Sequence, residues 1–146
     1  MDILVAVDGS EPSEEAVKYA CDHFSDVTLT LLYVIDPMVD YSRHRAYPGY
    51  TQDDEFTNER EKGEAVLDSL LEDVPDDVSV DTALEAGDPA RTIVQYADEH
   101  EVEGIVLGSH SRTGIARYLL GSVAETVVRR SPVPVTVVRP QFDEDD

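Results

Sequence analysis

Cysteine occurs once in the 146 residues, at Cys21, so no intramolecular disulfide can form and no multi-cysteine metal site can be built. Cys21 shares a helical face with Ala16, Val17, Ala20 and Phe24, which makes it a small core residue rather than a reactive thiol. Long apolar runs are missing as well. No stretch approaches the eighteen or so apolar residues of a membrane helix. Met1-Asp2 leads straight into a strand, without a basic segment or an apolar signal core, so the expected location is the cytoplasm. Lysine is confined to Lys18 and Lys62, and 11 basic residues face 32 acidic ones, a net charge of −21. Such an excess repels nucleic acid phosphates, and no nucleic acid partner is expected. It suits a protein kept soluble in concentrated salt, where charges are screened within about 3 Å at 1 M, and a halophilic host is the expectation.

What remains is an ordinary globular composition. Apolar residues make up 41% and aromatic ones 7%, too apolar for a disordered chain. The length fits one domain with its own core, expected over residues 1–140. Residues 141–146 read as an acidic, solvated and disordered tail. The charge is unevenly spread. Residues 104–140 hold Arg112, Arg117, Arg129, Arg130 and Arg139 against the single acid Glu125, while the rest of the chain has six basic and 31 acidic groups. A stretch spared the acidification has an anion or a partner to meet.

Hydrophobic periodicity alternates between buried-strand runs and amphipathic helices. Strands are predicted at 3–7, 27–35, 78–85, 104–107 and 133–138. Helices are predicted from about 12 to 24, 53 to 73, after Asp88-Pro89, and from 122 to about 130. Ser10 and Asp88 are expected N-caps, with Pro12 and Pro89 in the first turns. Residues 36–52 follow neither period and form a loop of unusual length, with a basic island Arg43-His44-Arg45. This order predicts an α/β fold, a parallel sheet with helices on both faces joined by right-handed crossovers.

Ligands of such sheets bind beyond the carboxyl ends of the strands, where the strand order reverses. Two strand ends are prepared for this: Asp8-Gly9-Ser10, and the stretch from Gly108 onwards. Gly121-Ser122 opens a helix whose free N–H groups and positive dipole end attract phosphate. Ser122-Val123-Ala124-Glu125 also fits a capping box, in which Ser122 and Glu125 satisfy each other's backbone donors, and the two uses compete for Ser122. Neither the P-loop nor the dinucleotide fingerprint is present. His110 lies in the same stretch, but His23, His44 and His100 show no metal-ligand spacing relative to it. No Ser-His-Asp or nucleophile-elbow signature occurs, and no base is placed for a water nucleophile, so neither a catalytic residue nor a metal ligand is expected.

Residues 3–10 (ILVAVDGS), 85–90 (EAGDPA) and the stretch from Gly108 to Val138 together resemble the universal stress protein family over essentially the whole chain. The resemblance implies a three-layer α/β/α fold, Rossmann-like, with a five-stranded parallel sheet in the order 3-2-1-4-5, bringing Asp8 and Gly108 together. Nucleotide-binding members carry G-x2-G-x9-G-[ST] after strand four. Gly108 and Gly121-Ser122 match it, while Ser111 stands where the second glycine belongs. Serine takes φ > 0 poorly, although its hydroxyl can donate to a phosphate. By position, the resemblance implies a phosphate site at Gly108, Ser111, Gly121, Ser122 and Val123, with Asp8 and Val34 at the adenosine end. Arg112 is either a phosphate contact or a solvated surface arginine. The implied ligand is ATP or ADP, with or without Mg²⁺, in a nucleotide-responsive binding protein with at most slow hydrolysis. The alternative is a family member of the same fold that binds no nucleotide and acts through protein contacts. The family also implies a homodimer through strand 133–138, an uncharged apolar edge that needs covering, with Pro134 where its missing N–H is not required. A two-component receiver is excluded: Asp8 stands alone, and Pro140 follows Arg139 where a lysine is needed.

Overall fold

The computed structural model describes residues 1–36, 52–109 and 121–139, with the backbone alone for 52–57. The Arg43-His44-Arg45 island and the acidic tail lie outside the described residues. The chain runs β1 (Asp2–Val7), α1 (Glu11–His23), β2 (Thr28–Ile35), α2 (Gln52–Glu72), β3 (Ser79–Ala86), α3 (Pro89–Glu99), β4 (Gly104–Gly108), α4 (Ser122–Arg130) and β5 (Val135–Val138). All strand pairs are parallel and the order is β3-β2-β1-β4-β5, the arrangement that the alternating pattern and the family resemblance imply.

Each face of the sheet has its own core. Val5, Val7, Leu29 and Leu31 pack with Ala16, Val17 and Ala20 of α1 and Leu67 and Leu70 of α2. On the opposite face Leu4, Leu32, Ile105 and Leu107 pack with Ala90, Ile93 and Ala97 of α3 and Ala124 and Val127 of α4. Strands covered on both faces are apolar throughout, which is why 3–7 and 104–107 read as continuous runs rather than alternations. Cys21 is half-buried beside the first core, as expected.

The helix ends follow the sequence signals. Ser10 caps α1, its Oγ accepting from the Ser13 N–H at 3.4 Å, and Glu11 and Glu14 in the first turn complement the positive dipole end. Asp88 caps α3, its carboxylate accepting from the Arg91 N–H at 3.1 Å, with Pro89 at the first helical position. At their far ends α1 and α3 share one device: Tyr19 stacks on His23 at 3.9 Å and Tyr96 on His100 at 3.8 Å. Each imidazole Nδ1 lies 3.0 Å from the carbonyl oxygen of its own tyrosine, and the Tyr96 carbonyl also accepts from the His100 backbone N–H at 3.0 Å.

The two edges of the sheet differ. β3 is the outer strand on one side, with Asp81 and Glu85 exposed on it. β5, on the other, carries no charge and all four residues are half-buried. Regular pairing of β5 begins at Val135, two residues later than predicted, because Pro134 has no N–H to offer. Its carbonyl still accepts from the Ile105 N–H at 3.0 Å, so the proline occupies a position where its missing donor is not needed. No described helix is long and apolar enough to cross a membrane.

Candidate functional site

The carboxyl ends of β1 and β4 emerge side by side, since Ala6 is paired with Leu107. Beyond β1 the backbone turns at Gly9, whose φ of +84° favours glycine. Asp8 is exposed, and its Oδ1 accepts from the Ser10 N–H at 2.9 Å and from the Ser10 hydroxyl. The carboxylate thus closes a local turn that presents Ser10 to α1 as its cap. Its second oxygen remains available on the surface.

Gly108 is held by sterics. A Cβ there would lie 2.5 Å from the Pro12 carbonyl oxygen and 2.6 Å from its carbonyl carbon, so the end of β4 lies directly against the backbone of the first turn of α1. Sequence reading treats Gly108 as a phosphate-site glycine and misses this contact; nothing in the periodicity signals that these two segments touch. The next residue, Ser109, is buried, and its N–H donates to the Val138 carbonyl at 2.8 Å, tying the end of β4 to the end of β5.

α4 returns from this edge. Only residues 131–134 separate it from the start of β5, so its nine residues, about 13 Å of helix, point the N-terminus back toward the strands' carboxyl ends. Here the capping-box expectation is corrected. The N-cap is Gly121, with φ −65° and ψ 161°, and no side chain caps the helix. Ser122 is the first helical residue, so its hydroxyl is not at the cap position, and its carbonyl accepts from the Thr126 hydroxyl at 2.9 Å. Glu125 turns away to pair with Arg129 at 2.7 Å. The first turn therefore keeps its backbone N–H groups free of a side-chain cap, with Ser122 and Val123 exposed.

Val34 lies one residue before the end of β2, half-buried and packed against the core on the α3–α4 face. The fold therefore brings Asp8, Val34, Gly108, Gly121, Ser122 and Val123 to one edge of the sheet. Ser111 and Arg112 lie outside the described residues. Among those described, no group of three or more His, Cys, Asp or Glu side chains could hold a metal ion.

A family model for the universal stress protein family matches residues 1–139. The chain belongs to that family. Universal stress protein MJ0531 of Methanocaldococcus jannaschii is 32% identical over 144 residues, covering 94% of this chain and 81% of its own. Among solved structures, hypothetical protein MJ0577 superposes with a TM-score of 0.79 at 28% identity, covering 97% of both chains. A universal stress protein family member from Arabidopsis thaliana, solved with AMP bound, has a TM-score of 0.69 at 20% identity, covering 100% of this chain and 96% of its own; that likeness is one of fold. As a universal stress protein, this chain keeps the family's sheet order, and its α4 begins without a side-chain cap.

Proposed function

We propose that this universal stress protein binds an adenine nucleotide, ATP or ADP with Mg²⁺, at the carboxyl edge of the sheet. The observation that carries the reading is the N-terminus of α4, opened by a glycine and left without a side-chain cap. Free N–H groups at the positive end of a helix dipole are a ready acceptor for phosphate. In this reading Gly108, Ser111, Gly121, Ser122 and Val123 line the phosphates, with Arg112 beside them. Asp8 hydrogen-bonds the adenosine end through the oxygen not used by Ser10, and Val34 packs against it. Mg²⁺ ordinarily rides on phosphate oxygens. AMP in the Arabidopsis thaliana family member supports the choice of ligand class. The protein acts as a nucleotide-responsive binding protein of the cytoplasm, at most a slow hydrolase, and pairs with a second copy through β5.

Calorimetry with ATP and ADP, in molar KCl with Mg²⁺, tests the site on the wild type and on Gly121→Val. Because Gly121 has φ −65°, valine strains no left-handed backbone there, and the variant is expected to fold. Saturable binding in the wild type, weakened at least tenfold in the variant, is the expected result. A wild type that takes up no nucleotide at millimolar concentration overturns the reading. It would favour the second one, a partner-binding dimer, which the engagement of Asp8 in its own turn supports.

A further inference from the structure

In a chain of net charge −21, an arginine without an acid beside it stands out. Arg60 pairs with Glu64 at 3.3 Å and Arg129 with Glu125 at 2.7 Å. Among the described residues Arg91, Arg130 and Arg139 make no side-chain ion pair, although the chain has 32 carboxylates to choose from; what sets Arg91 and Arg130 apart is that they share a groove. Both line one groove of about 150 Å³ between α3 and α4, together with Asp88, Val94, Gln95 and Thr126.

The remaining polar groups of that groove are largely committed. The Asp88 carboxylate accepts from the Arg91 backbone N–H at 3.1 Å, and the Thr126 hydroxyl donates to the Ser122 carbonyl at 2.9 Å. Asp88 makes no ion pair, so two guanidinium groups stand against one carboxylate, and the groove's net charge is opposite in sign to that of the molecule. Arg91 is also badly placed for helix stability. It lies in the first turn of α3, where the dipole disfavours a cation.

We propose that the α3–α4 groove is a second binding site, for a small ligand carrying phosphate or carboxylate groups, held by Arg91 and Arg130. Guanidinium donors match the oxygens of either group in a two-pronged fashion. A groove of this size has room for inorganic phosphate, pyrophosphate or a short dicarboxylate. Val94 supplies an apolar wall and Gln95 an amide that can donate or accept. The proposal does not depend on nucleotide binding at the sheet edge.

The test is an NMR titration of isotope-labelled protein with inorganic phosphate and, in a separate arm, with succinate. Potassium chloride at matched ionic strength is the control, and the arginine Nε–H signals are followed. Saturable shifts of Arg91 and Arg130 are expected in the low millimolar range in at least one arm, and the arm that binds more tightly identifies the ligand class. Arg91→Gln and Arg130→Gln each keep the side-chain stem and are expected to weaken binding about tenfold, the scale of losing a charged hydrogen-bond partner. Gly121→Val is expected to leave the response unchanged. Shifts that chloride reproduces, or saturable shifts of the groove's Val94 and Thr126 backbone amides that survive in the double variant, overturn the proposal. So does a response lost in Gly121→Val and kept in the arginine variants, which places the anion at α4's N-terminus instead.

Discussion

At Gly108 the chain meets itself, and a glycine that sequence reading assigns to a ligand turns out to serve the fold too. A methyl group there would meet the Pro12 backbone at 2.5 Å, and neither partner is a side chain that can swing away. Gly108→Ala is therefore expected to destabilise the protein by about 1–3 kcal/mol, the usual cost of overpacking, as read from urea unfolding. A stability equal to wild type would show that β4 and α1 can part freely. Tyr96 makes a second residue-scale prediction. Burial, followed by Glu85, Asp81 and Asp2, raises its phenol above the ordinary value of 10.0. The fold thus favours neutral tyrosine. The associated stability is fully present below the ordinary value and is lost as pH rises through the folded one. Tyr96→Phe is expected to lose less stability than wild type between pH 9 and 10.5, and equal losses in the two proteins would sink the assignment. At this scale the sequence was legible where chemistry is local: Ser10, Asp88 and Cys21 behave as their neighbours imply. Ser122 did not, because cap position depends on where the chain enters α4, and Gly121 already supplies an extended residue there.

Elements were easier to read than their ends. Strands buried on both faces show as apolar runs, and helices packed on one face show as a stripe, so every element described here is visible in the periodicity. What the pattern does not carry is how closely elements approach. Gly63 looks like an ordinary helix-weakening glycine, yet a Cβ there would lie 2.7 Å from the Tyr33 ring, so it sets the height of α2 above the sheet. The groove between α3 and α4 was equally invisible, since Arg91 and Arg130 are 39 positions apart and each alone is a surface arginine. Strand geometry does yield a prediction at β5. The Pro134 and Val138 carbonyls face β4, so by alternation Val137 turns its N–H and C=O outward. Val137→Pro is expected to leave the β4–β5 ladder intact while removing an outward donor, giving a folded monomer by light scattering where the proposed pairing through β5 makes the wild type a dimer. A variant that stays dimeric would place the interface elsewhere.

For the whole molecule, charge is the dominant quantity. At −21 the folded state repels itself, and salt screens that repulsion. Melting temperature is expected to rise by several degrees between 0.1 and 2 M KCl; a flat or falling trend in thermal melts would remove the basis for expecting a halophilic host. The charge is also distributed in a way that limits growth. In the proposed dimer, two chains joined along their uncharged β5 strands would form one continuous sheet whose outer strands are both β3. Each of those rims carries Asp81 and Glu85, so a further chain arriving at either end brings carboxylates against carboxylates. Under the proposed pairing through β5, an edge that invites one neighbour and an opposite edge that refuses the next would make an assembly that stops at two and does not run on into a fibre.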